Sequence, residues 1–201
     1  SLKTGAYRPS VVAYTLRTAS EAKVDYVTFD GAGGGTGMSP VPMMNDMGTP
    51  TVYLEAQVLK CAELLRRKGK HVPNIVMAGG FVNESQIYKA IAMSNFGEGP
   101  YVKAVAIARA ALTALFKAEY YAELAGNGRL PKPFAEKYGS SPDVFFATYH
   151  ELKVLLGEKV YDLPWGAIGL YTYLHSRIGV GLKQLLAGSR KWNINLISRD
   201  D

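Results

Sequence analysis

The chain has 201 residues, 48% of them apolar and 20% charged, with a net charge of +6, a composition ordinary for a globular chain of one or two domains with a sizeable core. No apolar run approaches the ~20 residues that a membrane span needs, and the start shows neither the basic nor the apolar region of a signal peptide, so a cytoplasmic protein with no membrane contact is expected. Cys61 is the only cysteine, which excludes an internal disulfide, a multi-cysteine zinc site and an iron–sulfur cluster held by this chain, while lysines and arginines scattered through helical stretches read as a solvated face and not a nucleic-acid surface.

In chain order, Leu2-Lys3-Thr4-Gly5 reads as the last residues of a strand. Pro9 and Ser10 open a helix to about Ala22, with Val12, Leu16, Ala19 and Lys23 near one face. An apolar run, 24–29, then enters the glycine-rich turn Asp30-Gly31-Ala32-Gly33-Gly34-Gly35-Thr36-Gly37-Met38-Ser39-Pro40. Glycines after a buried strand leave backbone N–H groups open to a ligand, and such concavities favour anions. Met43, Met44 and Met47 in the following loop, 41–50, could line an adaptable pocket, but read first as gap-fillers beneath the loop. Val52, Ala56, Leu59, Ala62 and Leu65 recur at helical spacing until Gly69. The short run 74–78 stops at Gly79-Gly80, and Asn83 with Gln86 three residues on forms a capping box for a helix that Gly97 ends. A third apolar run, 102–108, leads into a helix at Ala110-Ala111-Leu112.

Beyond residue 125 the rhythm changes. Residues 126–140, rich in Gly, Pro and Lys, read as a linker between a first domain, 1–125, and a helical C-terminal extension, 141–201. Ser141-Pro142-Asp143 starts a helix expected to run to Leu156, and a second is expected over 164–187, with Tyr171, Leu174, Ile178, Leu182 and Leu185 on one face. His71, His150 and His175 show no metal-ligand spacing, so no metal site is expected; Trp165 and Trp192 read as packing anchors, and Cys61 as a small buried residue.

Repeated β-α units imply parallel strands with right-handed crossovers, in a doubly wound sheet or a (β/α)8 barrel. A doubly wound dinucleotide fold should open its glycine turn directly into a helix, whereas here a proline-containing loop intervenes. Barrels often hold phosphate on the loops after their last two strands, and the last two strand candidates end in Gly79-Gly80 and Ala108-Arg109. Small residues there let backbone approach phosphate oxygens, and the Arg109 guanidinium adds a charge-assisted contact. About 115 positions carry the rhythm, half of a ~250-residue barrel. The fold expected is therefore α/β, a partial TIM (β/α)8 barrel (its second half, strands 5–8) with an α-helical extension. Open apolar edges predict a homo-oligomer or a chain lacking the N-terminal half of its barrel.

The stretches 27–40, Met77-Ala78-Gly79-Gly80 and Ala106-Ile107-Ala108-Arg109-Ala110-Ala111-Leu112 resemble the synthase domain of glutamate synthases, as do Asp162-Leu163-Pro164-Trp165-Gly166 and the closing residues near Arg199. The resemblance implies an FMN-binding (β/α)8 barrel in which reduced flavin passes electrons to the 2-iminoglutarate formed from 2-oxoglutarate and ammonia. It implies that Gly79, Gly80, Ala108 and Arg109 hold the FMN phosphate, that Lys3 faces the ring, that Gly31, Gly34 and Gly35 lie over ring and substrate, and that Thr36 or Ser39 bonds a substrate carboxylate. Lys3 reads equally well as a solvated residue near a chain end. No catalytic residue is singled out.

Two departures limit the transfer. Ala32-Gly33 stands where the large glutamate synthases carry a histidine-aspartate pair, and Ala114 to Ala125 reads as plain helix where that family places the cysteines of a 3Fe-4S cluster. Electrons and ammonia would then come from separate electron-donor and glutaminase subunits. The alternatives to an FMN oxidoreductase are a non-redox barrel enzyme acting on a phosphorylated metabolite and a catalytically silent half-barrel that mediates assembly.

Overall fold

Alternation of side chains across two strands sets the centre of the molecule. In the computed structural model, which describes residues 1–5, 7–35 and 38–201, β2 (Tyr26–Asp30) and β3 (Asn74–Ala78) pair in parallel, Tyr26 beside Asn74 through Asp30 beside Ala78. Val27, Phe29, Ile75 and Met77 are fully buried, whereas Thr28 and Val76 between them are half-buried, so the two faces of the sheet are unequally covered. α3 (Thr51–Arg67) packs on both strands and against α1 (Pro9–Glu21). Val12, Leu16 and Ala19 of α1 meet this layer with Leu54, Val58, Leu59 and Ala62 of α3, all buried; each large side chain so removed from water contributes ~1.5–3 kcal/mol.

β1 (Leu2–Thr4) pairs with β2, and β4 (Val102–Ala106) with β3, giving a four-stranded parallel sheet in the order β1-β2-β3-β4. Strand order follows chain order without the reversal of a doubly wound sheet, and the arrangement is compatible with a section of barrel. The third apolar run stops as a strand at Ala106, two residues earlier than expected, because Ala108 (φ −120°, ψ −80°) already begins the next helix. Between β2 and α3 lies α2 (Val41–Asn45), with Pro at its start. α4 (Glu84–Met93) carries the expected capping box, Asn83 accepting from the Gln86 N–H while the Gln86 side chain accepts from Asn83 N–H. The buried stripe of α3 is rotated from the expected one: Val52 and Ala56 are exposed, and Leu54, Glu55, Val58, Leu59 and Ala62 are inside.

The chain divides into two compact units, 1–107 with 184–201, and 108–183. The second is helical: α5 (Arg109–Gly126), α6 (Lys132–Tyr138), α7 (Pro142–Phe145), α8 (Thr148–Leu156) and α9 (Trp165–Tyr171), followed by a π-helical stretch, Thr172–Val180, and α10 (Gly181–Gly188), which crosses into the first unit. α6 lies within the stretch expected as linker. The helix expected over 141–156 is two, parted at Phe146 (ψ 88°), whose ring turns in to stack on Trp165 at 5.9 Å beside the core of Leu152, Val160 and Ile168. The helix expected over 164–187 loses α-geometry at Thr172, whose hydroxyl donates back to the Ile168 carbonyl at 2.8 Å. Trp192 is 84% exposed, so it is no packing anchor, and Cys61 is half-buried. Among the described residues no helix is long and apolar enough to cross a membrane.

Candidate functional site

Parallel strands bring their C-terminal ends to one edge, so Thr4–Gly5, Asp30–Gly31, Ala78–Gly79 and Ala106–Ile107 lie at the same end of the sheet. The turn after β2 is built there by its own hydrogen bonds. Gly31 N–H donates to the Ala78 carbonyl, Ala32 to Thr49, Gly33 to Met44 and Gly34 to Gly31, each at 2.9 Å, and Gly35 N–H donates to Asp30 Oδ2 at 3.1 Å. Five successive backbone donors are thus satisfied within the protein. Over these five residues the turn is a wall, its donors turned inward.

The glycines serve close packing. A Cβ on Gly31 would stand 2.6 Å from Thr51 Cα, one on Gly34 1.8 Å from Asp30 Oδ1, and one on Gly79 (φ +99°) 2.6 Å from the Gly31 carbonyl oxygen. Thr51, in the first turn of α3, donates to the Gly79 carbonyl at 2.6 Å and so fastens the β3 turn to the helix. Gly33 (φ +86°) and Gly80 (φ +80°) differ, with open space where a Cβ would go.

In front of this wall is a pocket of about 520 Å³. Lys3 Nζ lies 3.1 Å from Asp30 Oδ2 on its side, Asp30 being 91% buried along its side chain and Lys3 mostly exposed. Lys3, Gly31, Gly34, Gly35 and Ser39 therefore share one pocket. Thr36 lies outside the described residues. Gly79 and Gly80 line a second cleft of about 320 Å³, between α3 and α4, and Ala108 and Arg109 belong to the second unit, at the start of α5.

Asp30 and Glu55 escape a reading of the sequence, and the loop methionines take the second of the two roles it allows. Asp30 joins Lys3 to the Gly35 N–H; its place between strand and glycine run is the signal that marks it. Met43, Met44 and Met47 line the pocket and do not fill gaps beneath a loop, Met43 and Met47 being exposed. Glu55 lines the second cleft, 2% exposed, with no hydrogen-bond partner for its Oε1. Burial pushes its carboxyl up to about 8, against a partial pull downward from the Arg199 charge. A carboxylate four residues before Leu59 on an apolar helical stripe was the available clue. Glu63 behaves oppositely: hydrogen bonds from Arg66, then Arg67 and Tyr101, hold it down at about 2 despite burial.

The conserved region in glutamate synthase, as a family model, matches residues 5–116, over half of the chain. The chain belongs to the glutamate synthase family. The match takes in the β2 turn, the β3 turn and the start of α5. Among curated proteins, an archaeal-type glutamate synthase [NADPH] of Thermotoga neapolitana is 38% identical over 95 residues, 47% of this chain and 17% of that protein. Proteins of the same name from Thermotoga sp. (strain RQ2) and Thermotoga maritima are each 37% identical over 83 residues, 41% of this chain and 16% of theirs. The chain thus matches under a fifth of the length of these family members. No solved structure matches it significantly.

Proposed function

We propose that this chain is part of a glutamate synthase-type oxidoreductase that uses FMN and forms L-glutamate from 2-oxoglutarate and ammonia by way of 2-iminoglutarate. The observation that carries the proposal is the Lys3 ammonium, held 3.1 Å from Asp30 on a pocket of about 520 Å³ at the C-terminal edge of a parallel sheet, in a chain of this family. When bound, FMN supplies the electrons that reduce the imine carbon. Lys3 fits it: a cation fixed there favours the negative charge that a reduced ring carries near N1 and O2.

The glycine turn fits as a wall for ring and substrate. The N–H groups of Gly31 to Gly35 are satisfied internally, so the phosphate contact of the first unit falls to Gly80, where φ is +80° and no Cβ intrudes; family membership implies Ala108 and Arg109 as further phosphate residues. Gly79 supports Gly80 by closing against Gly31. Ser39, on the Lys3 pocket, and Thr36 serve a substrate carboxylate. The sheet would then be strands 5–8 of a (β/α)8 barrel whose first half lies outside this chain, working in the cytoplasm. The relatives' name carries NADPH, which we take as the origin of the electrons, delivered by a separate donor subunit, with ammonia from a glutaminase subunit.

The purified protein is expected to show flavin absorbance bands and to yield FMN by mass spectrometry. Arg109→Ala should weaken FMN retention roughly tenfold, the order of one charge-assisted phosphate contact. A protein that stays colourless after incubation with FMN would overturn the proposal. The exposed edges of the sheet favour a second reading, a silent half-barrel that mediates assembly.

A further inference from the structure

The cleft between α3 and α4 shares no lining residue with the Lys3 pocket, although Gly79 and Gly80, given above to the phosphate, are among its lining residues. Its polar groups are sorted by chemistry. At the floor, Glu55 is 98% buried and its Oε1 has no partner, although a buried acceptor without a donor is costly. On α4, Gln86 and Lys89 stand one helical turn apart. The capping box fixes Gln86: its Oε1 accepts from the Val82 and Asn83 N–H groups at 2.8 and 3.3 Å, which leaves its NH₂ as the end it can offer. Lys89 offers an ammonium. Between floor and donors the walls are apolar, from Val52, Phe81 and Met93, and the volume of about 320 Å³ suits one small molecule.

We infer that this cleft is a binding site for a small apolar α-amino acid, whose ammonium donates to Glu55, whose carboxylate accepts from Gln86 and Lys89, and whose side chain lies against Val52, Phe81 and Met93. One buried acceptor on α3 and two exposed donors on α4 are the complement of a zwitterion; a carboxylic acid alone would leave Glu55 unmatched, and an amine alone would leave the α4 donors to water. The other charge near Glu55 is Arg199 of the C-terminal segment. Its Nε donates to the Met93 carbonyl at 2.7 Å and its guanidinium lies 3.8 Å from the Phe96 ring centre, so it is held without pairing to Glu55. The β3 turn, Gly79–Phe81, contributes no charge.

Thr51 connects this cleft to the glycine turn, since it touches Gly31 and bonds Gly79. Burial keeps Glu55 protonated in the free protein near neutral pH. An arriving ammonium stabilises its carboxylate, so binding releases that proton to solvent.

L-valine is the probe, with isovalerate, which lacks the amine, and isobutylamine, which lacks the carboxylate, as controls. In amide NMR spectra of the protein, millimolar L-valine should shift Thr51, Glu55, Gly80 and Lys89, and both controls should bind more weakly. Calorimetry in buffers of different ionisation enthalpy should find about one proton released per L-valine near pH 7. Glu55→Gln, near-isosteric and uncharged, should abolish that release and weaken binding roughly tenfold or more, and Lys89→Ala, on the surface, should weaken it severalfold. No shift with L-valine, equal binding of isovalerate, no proton release by the unaltered protein, or unchanged affinity in Glu55→Gln would each overturn the inference.

Discussion

Glu55 is a carboxyl almost wholly removed from water, and the sign of its effect follows. Its folded pKa, about 8, is raised above the ordinary 4.5, so the protein holds this proton more tightly than the unfolded chain does. Stability from this group is fully present below pH ~4.5 and is lost as pH rises toward ~8. Glu55→Gln should match the unaltered protein in urea denaturation near pH 4 and exceed it by up to ~4 kcal/mol near pH 8; a gap independent of pH would refute the assignment. Two glycines separate packing from site geometry in the same way. Gly31→Ala drives a Cβ against the backbone of Thr51, which cannot move, and should lower stability by ~3 kcal/mol or more. Gly34→Ala meets first the carboxylate end of Asp30, with the Gly31 carbonyl oxygen next at 3.0 Å. That side chain can rotate, but only by releasing Lys3 and the Gly35 N–H, so thermal unfolding should shift by ~1–2 kcal/mol while FMN retention falls further.

At the scale of the element, four helices end alike and two of them do so against a steric preference. After α3 and α5 the left-handed residue is glycine, Gly69 and Gly128, both at φ +64°. After α1 it is Lys23 (φ 55°), with Val24 N–H bonded to the Ala19 carbonyl, and after α10 it is Arg190 (φ 56°), with Lys191 N–H bonded to Leu186. An L-residue there costs roughly 1–2 kcal/mol, offset in part by the extra freedom that glycine has when unfolded. Lys23→Gly should therefore raise the melting temperature by a net ~0.5–1 kcal/mol of stability, with Gly69→Ala showing the opposite sign. Lys23 also shows what a sequence conceals: it continues the spacing of Val12, Leu16 and Ala19, yet the helix has ended, because local hydrogen bonds decide the stop. The strands, their order and the Asn83 cap are legible, since they rest on short-range alternation and capping chemistry. The break at Phe146 and the loss of α-geometry at Thr172 are not, because each depends on a distant partner or on a hydroxyl that helix periodicity does not register. The pocket was legible in the same measure: Lys3 and the glycines lie at strand ends, whereas the bond that joins Lys3 to Asp30 crosses between strands.

For the molecule as a whole, the unequal covering of the sheet matters most. Among the described residues β1 and β4 each pair on one side only, and they are also the exposed strands: Leu2 and Lys3 of β1, and Lys103, Ala104 and Ala106 of β4, are open while β2 and β3 are largely buried. Unpaired edges with small or apolar side chains are templates for further strands. The matched relatives are several times longer than the stretch this chain shares with them. The isolated chain should consequently self-associate, with sedimentation giving a mass above 21.9 kDa that falls toward that value on dilution. Ala104→Lys, a charge placed on the exposed β4 edge strand, should shift the equilibrium toward monomer without lowering the melting temperature by more than about 0.5 kcal/mol, as expected of an exposed site. Supplying the preceding segment of a relative in trans should also suppress self-association, because an edge that has gained a neighbouring strand no longer recruits a second copy. A chain that is monomeric at all concentrations, and unaffected by that segment, would mean that the edges are closed by their own short length and charge.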